Sequence, residues 1–345
     1  MKKTLVALAV TAFAASASAV TVYENEGTKV VVDGSLRLLL DKGDSKVKNG
    51  DKTEKHSNLK NDGSRFGVRV KHDIAEDFYA LGRLELRFNG SPTTTDQFGD
   101  LYAKRAYVGL GSKQYGELTF GRQLTIGDDI GETGFDYSYG VSPGLLTAEG
   151  TAVVRYDYKG IDGLQVGVNY NFAEKRDSNN EIATGDKKNG YGVGATYVLP
   201  LAEGQALALE AGYTRDNYVT NANYRHYKDA WEVATSYKLG GLKVALDGSQ
   251  AYEKNGSAKT RTSALAAGAK YSFGAVGVYG AYGYEHTKVK GSDNKTRKHK
   301  FLLGTDYQLH KQVVTYLEGR VVKTKVDNGA KTTDKVVGVG LRVFW

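Results

Sequence analysis

Apolar and polar positions alternate along most of this chain with a period of two. Residues 164–172 put Leu164, Val166, Val168, Tyr170 and Phe172 on one face and Gln165, Gly167, Asn169 and Asn171 on the other. Phe66, Val68 and Val70 oppose Arg65, Gly67 and Arg69 in the same way, and Leu84, Leu86 and Phe88 oppose Arg83, Glu85 and Arg87. Trp231, Val233, Thr235 and Tyr237 oppose Glu232, Ala234 and Ser236. No segment carries a 3.6-residue stripe. Strict alternation marks strands with one apolar face. The pattern predicts sixteen strands, beginning near residues 29, 64, 79, 102, 116, 153, 164, 190, 205, 228, 242, 261, 276, 298, 312 and 335, and hence an all-β chain of eight hairpins.

The connections alternate in length. Short ones fall at 74–77, 112–115, 160–163, 200–204, 240–241, 274–275 and 310–311; long polar ones fall at 41–63, 89–101, 123–152, 174–189, 217–227, 253–260, 288–297 and 325–334. Short turns at one rim and long loops at the other describe a 16-stranded antiparallel transmembrane β-barrel. A soluble sandwich would show the same alternation. The even strand count, the one-sided loop lengths and the Tyr and Phe near strand ends favour the barrel. Pro92, Pro143 and Pro200 are all expected in connections, where no ladder hydrogen bond is lost. The last strand sets Val337, Val339, Leu341, Val343 and Trp345 on one face.

Composition narrows the class further. Counts of 43 Gly and 24 Tyr against 3 Pro suit many short strands, and the absence of Cys rules out a disulfide-stapled scaffold. No later stretch is long and apolar enough for a membrane helix. The opening MKKTLVALAVTAFAASASA reads as a Sec signal peptide over residues 1–19, leaving a barrel domain at 20–345. Loss of Lys2 and Lys3 takes the net charge from +8 to +6.

Against that basic background, residues 123–154 contain no Lys or Arg but hold Asp128, Asp129, Glu132, Asp136 and Glu149. This is the longest connection, and structureless loops beyond about 15 residues are usually functional or disordered. Ile126, Ile130, Phe135, Tyr137, Tyr139, Leu145 and Leu146 make it too apolar for a solvated tail. It is expected to pack on the inner wall of a barrel whose strand number leaves an aqueous lumen. Arg37, Arg65, Arg105 and Arg155 lie on the polar parity of their strands and are expected to face that lumen. Acids facing arginines across a narrow gap would tune ion passage, although some of these charges would simply pair and hold the loop. Phe135, Tyr137 and Tyr139 could stack sugar rings, but packing the loop to its wall is the commoner use of such aromatics.

Other chemistries find little support. His72 and His310 lie near the short turns, and His56, His226, His286 and His299 in or near long loops, with no nucleophile–base pair; no enzyme is expected. Asp128, Asp129 and Glu132 lack calcium-loop spacing, so no metal is expected. Gly190, Gly192 and Gly194 lie within a strand, not at a strand-to-helix turn, so no cofactor and no nucleic acid is expected, and inward glycines would leave room in the lumen. Lys42, Lys46, Lys48, Lys52, Lys55 and Lys60 are placed in the first long loop, and Lys288, Lys290, Lys295, Arg297 and Lys298 in the seventh. They suit contact with anionic lipopolysaccharide, or a surface adhesin or receptor as a second role. The positive net charge favours anions at the mouth and the acidic loop favours cations deeper, so weak selectivity for small hydrophilic solutes is expected.

VTVYENEGTKV, GSRFGVRVKHDI, FYALGRLELRF, AYVGLGSKQYGELTFGRQ and YKGIDGLQVGVNY resemble the Gram-negative general-diffusion porins, especially the Pasteurellaceae major-porin branch. The likeness runs along the whole chain and is strongest to about residue 172. It implies a homotrimer of sixteen-stranded barrels in the bacterial outer membrane, each with its long third loop folded into the lumen. It also implies that Asp128, Asp129, Glu132 and Asp136 face a basic ladder of Arg37, Arg65, Arg105 and Arg155. Phe344 and Trp345 would be the C-terminal signal read by the outer-membrane assembly machinery; the family usually ends on Phe, and this chain ends on Trp345.

Overall fold

The computed structural model describes residues 19–345 except 49, 51, 55, 89–97, 177–179, 221–223, 293–294 and 328. The signal-peptide segment apart from Ala19, together with Lys55 and Pro92, thus lies outside the described residues. Alternation becomes strands: β1 (Val20–Asn25), β2 (Thr28–Val47), β3 (Lys52–Glu54), β4 (Asn58–Asn61), β5 (Arg65–Asp73), β6 (Phe78–Phe88), β7 (Leu101–Ser112), β8 (Gly116–Leu124), β9 (Glu149–Ile161) and β10 (Leu164–Asn171). The series continues with β11 (Lys187–Ala202), β12 (Gln205–Tyr218), β13 (His226–Leu239), β14 (Leu242–Asn255), β15 (Ala258–Phe273), β16 (Val276–Val289), β17 (Lys295–His310), β18 (Val313–Val326) and β19 (Lys331–Phe344). Among the described residues no α-helix occurs.

Three short strands share staves with longer ones. β3, β4 and β5 follow one another along one edge of β2, with Asp44 opposite Glu54, Leu40 opposite Leu59 and Val32 opposite Val68. Along its other edge run β19 and then β1, with Leu341 opposite Leu38 and Val20 opposite Val32. The 19 strands therefore make sixteen staves, and β2 closes the sheet by pairing on both sides. Closure is what lipid demands, because an open edge would strand its N–H and C=O groups without water.

The two faces separate as the alternation requires. Val168, Tyr170 and Phe172 are exposed, whereas Asn169 and Asn171 are buried. The same exposed row recurs around the barrel in Leu246, Leu265, Phe301, Leu317 and Val339. A continuous apolar outer surface of this kind is stable only against hydrocarbon.

The closing seam depends on one glycine. Gly34 and Trp345 exchange two backbone hydrogen bonds, Gly34 N to Trp345 O at 2.9 Å and Trp345 N to Gly34 O at 3.1 Å. The indole lies over Gly34 so closely that a Cβ there would stand 2.5 Å from Trp345 Cζ2 and 2.8 Å from the Arg65 carbonyl oxygen.

Several expectations shift. Pro200 lies within β11, paired with Ala206, not in a connection. β10 ends its pairing at Tyr197, so no neighbour on that side asks for the missing N–H. Residues 253–260 form no long loop: β14 and β15 stay paired up to Asn255 and Ala258. Their polar ends continue the ladder beyond the apolar band. Lys42 and Lys46 belong to β2 and Lys60 to β4, while Lys288, Lys295, Arg297 and Lys298 belong to β16 and β17.

Gly34→Val is expected to force the closing strand apart, at the roughly 1–3 kcal/mol typical of overpacking. The folded, heat-modifiable band on an SDS gel should then convert to the unfolded band at a lower temperature than in the unaltered protein. An unchanged conversion temperature would mean that the seam tolerates displacement of the indole.

Candidate functional site

Residues 125–148 join β8 to β9 and are ordered by hydrogen bonds at both ends. Thr125 N donates to Ala148 O at 2.9 Å, and a single 3-10 turn, Ile126–Asp129, is capped by Thr125 Oγ1, which accepts from Gly127 N at 3.2 Å. Between these ends the backbone turns its N–H groups to carboxylates of distant strands.

Gly131 N donates to Glu210 Oε2 of β12 at 2.7 Å. Asp247 of β14 accepts from Glu132 N at 2.9 Å and Thr133 N at 3.0 Å, and also from Thr133 Oγ1. Glu318 of β18 accepts from Tyr137 N at 2.5 Å, Ser138 N at 2.9 Å and, on the wall side, Tyr279 Oη at 2.8 Å. Tyr139 Oη donates to Asp41 of β2 at 3.0 Å. All four acceptors belong to the row opposite the lipid-exposed one, and Asp247 and Glu318 are fully buried.

Apolar side chains of the segment fill gaps in the same inward row. A Cβ at Gly268 would stand 2.9 Å from the Phe135 ring, one at Gly194 2.9 Å from Ile126, and one at Gly212 2.8 Å from Ile130. These glycines do make room, but the segment occupies it. Phe135 and Tyr139 are buried, and Tyr137 stacks on Tyr316 with centroids 4.5 Å apart.

The four acids of the segment divide into two kinds. Asp129 is ion-paired with Arg155 and accepts from Gln165 Nε2 at 2.8 Å, and Glu132 meets Lys243 Nζ at 2.5 Å. Among the described residues no ion pair reaches Asp128 or Asp136. Asp128 is exposed at its surface, yet desolvation by the protein packed around it, reinforced by Asp129, pushes its carboxyl above the usual range; desolvation and Glu318 do the same for the half-buried Asp136.

The arginines likewise divide. Arg37 and Arg65 lie on the adjacent staves of β2 and β5, with Arg105 on β7 just beyond β6, whereas Arg155 sits apart on β9 with Asp129 and Asp157, at 2.6 Å from the latter. Arg37 Nε donates to Ser35 Oγ at 2.7 Å and Arg65 Nε to Gly63 O at 3.2 Å; neither is ion-paired among the described residues. Two further members went unread in the sequence: Arg342 lies opposite Arg37, and Arg87 opposite Arg65. Glu85 on β6 binds Arg87 and, at 2.8 Å, Arg83, and lies 3.8 Å from Arg105. The alternation of β6 had already placed Arg83, Glu85 and Arg87 on the polar face.

Comparison with known proteins fits this architecture. A sequence profile described as Gram-negative porin matches residues 4–327. The chain belongs to that family. It is similar to the major outer membrane protein of Pasteurella multocida (strain Pm70), 37% identical over 368 residues and covering 100% of both chains. Among solved structures it is similar to the trimer form of OmpT from Vibrio cholerae, with TM-score 0.70, 18% identity and coverage of 92% of this chain and 100% of the other. The anion-selective porin from Comamonas acidovorans gives TM-score 0.69, 19% identity and the same coverage, 92% and 100%. This porin is thus a β-barrel of the Gram-negative outer membrane and a general diffusion channel. Among its described residues no group of three His, Asp or Glu could hold a metal ion.

Asp247→Ala should leave two loop N–H groups without an acceptor and Glu318→Ala three, at roughly 1–3 kcal/mol per group. Hydrogen–deuterium exchange of the folded porin should then speed up about 10- to 100-fold across residues 130–140, since 1.4 kcal/mol is tenfold. Unchanged exchange would mean that side-chain packing alone fixes the segment.

Proposed function

We propose that residues 125–148 fold inside the barrel and form the narrowest section of an aqueous channel for ions and small hydrophilic solutes. The observation that carries this reading is the backbone of the segment hydrogen-bonded to inward acids on β12, β14 and β18. Asp128 and Asp136 are the charges the segment offers to passing ions; Asp129 and Glu132 mainly anchor it. Arg37, Arg65, Arg87 and Arg105 form the opposing basic wall, and Arg342, paired with Asp62 at 2.7 Å, ties it to the segment by donating to the Tyr137 carbonyl. A field between unlike walls of low dielectric selects ions by sign and weakens with salt.

Burial of Phe135 and Tyr139 supports packing of the loop over sugar stacking. The trimer form of the Vibrio cholerae neighbour supports a homotrimer here, and Phe344 with Trp345 would present the assembly signal at the closing seam. Export would use residues 1–19 as a signal peptide.

Three bilayer measurements test the reading. Asp128→Asn with Asp136→Asn should move the reversal potential in a salt gradient towards anions, and Arg37→Gln, Arg65→Gln with Arg105→Gln should move it towards cations. Both shifts should shrink as the Debye length falls from about 10 Å at 0.1 M to about 3 Å at 1 M. Deleting residues 128–140 should raise single-channel conductance; an unchanged conductance and solute cutoff would place the segment away from the narrowest section.

Acidity gives an independent check. Because the Asp128 and Asp136 carboxyls are both raised, they should take up protons as pH falls while ordinary carboxylates are still ionised. Selectivity should therefore drift towards anions at a higher pH in the unaltered porin than in the double Asn variant. Coincident pH profiles would argue against these two acids lining the path.

A further inference from the structure

Three lysines stand side by side on the inward face, between the 125–148 segment and the short-turn rim. Register sets Lys238 of β13 opposite Lys243 of β14, and Lys243 opposite Lys270 of β15. They share the parity of buried wall residues in their own strands, Ser236, Asp247 and Ala266, and so lie on the face away from lipid. Like charges directly opposite on one sheet face destabilise it. Here two such pairs follow one another across three staves.

The acids nearby answer only part of that charge. Glu132 of the segment meets Lys243, and Asp306 of β17 meets Lys270 at 2.5 Å. Among the described residues no acid pairs with Lys238, which is exposed.

The row borders a hollow of about 430 Å³. Val198, Ala206 and Ala208 give the hollow an apolar wall, and Phe135 closes the end towards the segment. Charge and apolar surface adjoin directly: Ala206 lies opposite Lys238, and Lys243 Nζ stands 5.8 Å from the centroid of the Phe135 ring. Sites for small organic molecules combine such walls with a few placed polar groups.

We propose that this hollow binds a small aromatic carboxylate, with its carboxylate on Lys238 and Lys243 and its ring against Phe135 and the two alanines. The inference names a solute class for the channel and rests on the reading that residues 125–148 lie inside the barrel. Neighbouring strands are about 4.8 Å apart, so ammonium groups on two of them can reach the two oxygens of one carboxylate. An ammonium has three donors, so Lys243 can hold Glu132 and the solute together. An inorganic anion would match the charge and gain nothing from the apolar wall. A neutral sugar would leave Lys238 unanswered.

The test follows para-fluorobenzoate by fluorine NMR against the full-length folded porin in detergent, with detergent alone as the blank. Broadening of the signal should saturate, and benzoate should reverse it, whereas acetate, benzamide and inorganic phosphate at the same concentration should not. Lys238→Gln should bind at least about tenfold more weakly, a loss of about 1.4 kcal/mol. Phe135→Leu should bind about two- to tenfold more weakly, the range of a lost ring pair. Lys159→Gln, which removes a charge near the same rim but does not border the hollow, should match the unaltered porin. Without solute, Lys238→Gln should unfold at a temperature no lower than the unaltered porin, since repulsion is relieved, which separates lost binding from lost fold. Equal affinity of Lys238→Gln or of Phe135→Leu and the unaltered porin would overturn the proposal. So would an equal loss in Lys159→Gln, or reversal by acetate, benzamide or phosphate as complete as by benzoate. Binding is read here without current, so the conductance of the 128–140 deletion judges the place of the segment separately: a raised conductance with no saturable broadening would sink this inference alone.

Discussion

Two buried carboxylates organise the inside of this barrel. Asp247 and Glu318 are fully enclosed, and an ionised carboxylate cut off from water must be met by donors or it will not stay charged. Neither takes a lysine or arginine among the described residues. Each instead accepts successive backbone N–H groups from the segment between β8 and β9: residues 132 and 133 on Asp247, and 137 and 138 on Glu318. The bargain is mutual, since a non-helical backbone enclosed by protein also needs acceptors. Two anchor points five residues apart along the chain fix the path of everything between them.

That anchoring explains how an acidic segment can lie on acidic wall residues without being expelled. The wall acids meet the backbone, so the acidic side chains of the segment are free to turn elsewhere. Asp129 turns to Arg155 and Glu132 to Lys243, and among the described residues no ion pair reaches Asp128 or Asp136. The aromatic side chains add a second constraint: Phe135 fits over Gly268 and Tyr137 stacks on Tyr316. Polar anchoring sets position, and ring packing sets tilt. A segment held both ways is a rigid element, and only a rigid element can define a fixed aperture.

The fold was legible because a lipid-facing barrel writes its topology in period two. Leu164 to Phe172 could be assigned to faces without any partner, since hydrocarbon on one side permits few exceptions. Strand ends were harder to read. Beyond the apolar band the outward positions become Lys, Arg and Thr, which look like loop, so β14 and β15 were cut short although their ladder continues to Asn255 and Ala258. The site was half legible. Parity alone put Arg37, Arg65 and Arg105 on the inner face, but it cannot tell which staves curve together, so Arg87 and Arg342 were left out of the cluster. The anchors were invisible for the same reason. Asp247 lies 115 residues from Glu132 and Glu318 lies 181 from Tyr137, and no local pattern links them.

Net charge is a poor guide to such a channel, because a barrel wall divides charge into two populations that scarcely sense each other's partners. Arg261, Lys288, Arg297, Lys325 and Lys331 count towards the positive total, yet they stand on the outer face at the rim. Their field acts on the membrane surface, and at physiological ionic strength it decays over about 8 Å. Inside, many cations are already spent: Arg83 on Asp33 and Glu85, Arg155 on Asp129 and Asp157, Lys270 on Asp306. Under the proposed path, what an ion meets is set by inward groups that take no ion pair among the described residues, Arg37, Arg65, Asp128 and Asp136 among them. A basic protein can therefore enclose a path of nearly balanced charge, and the sign of its selectivity follows from pairing within the lumen, not from composition.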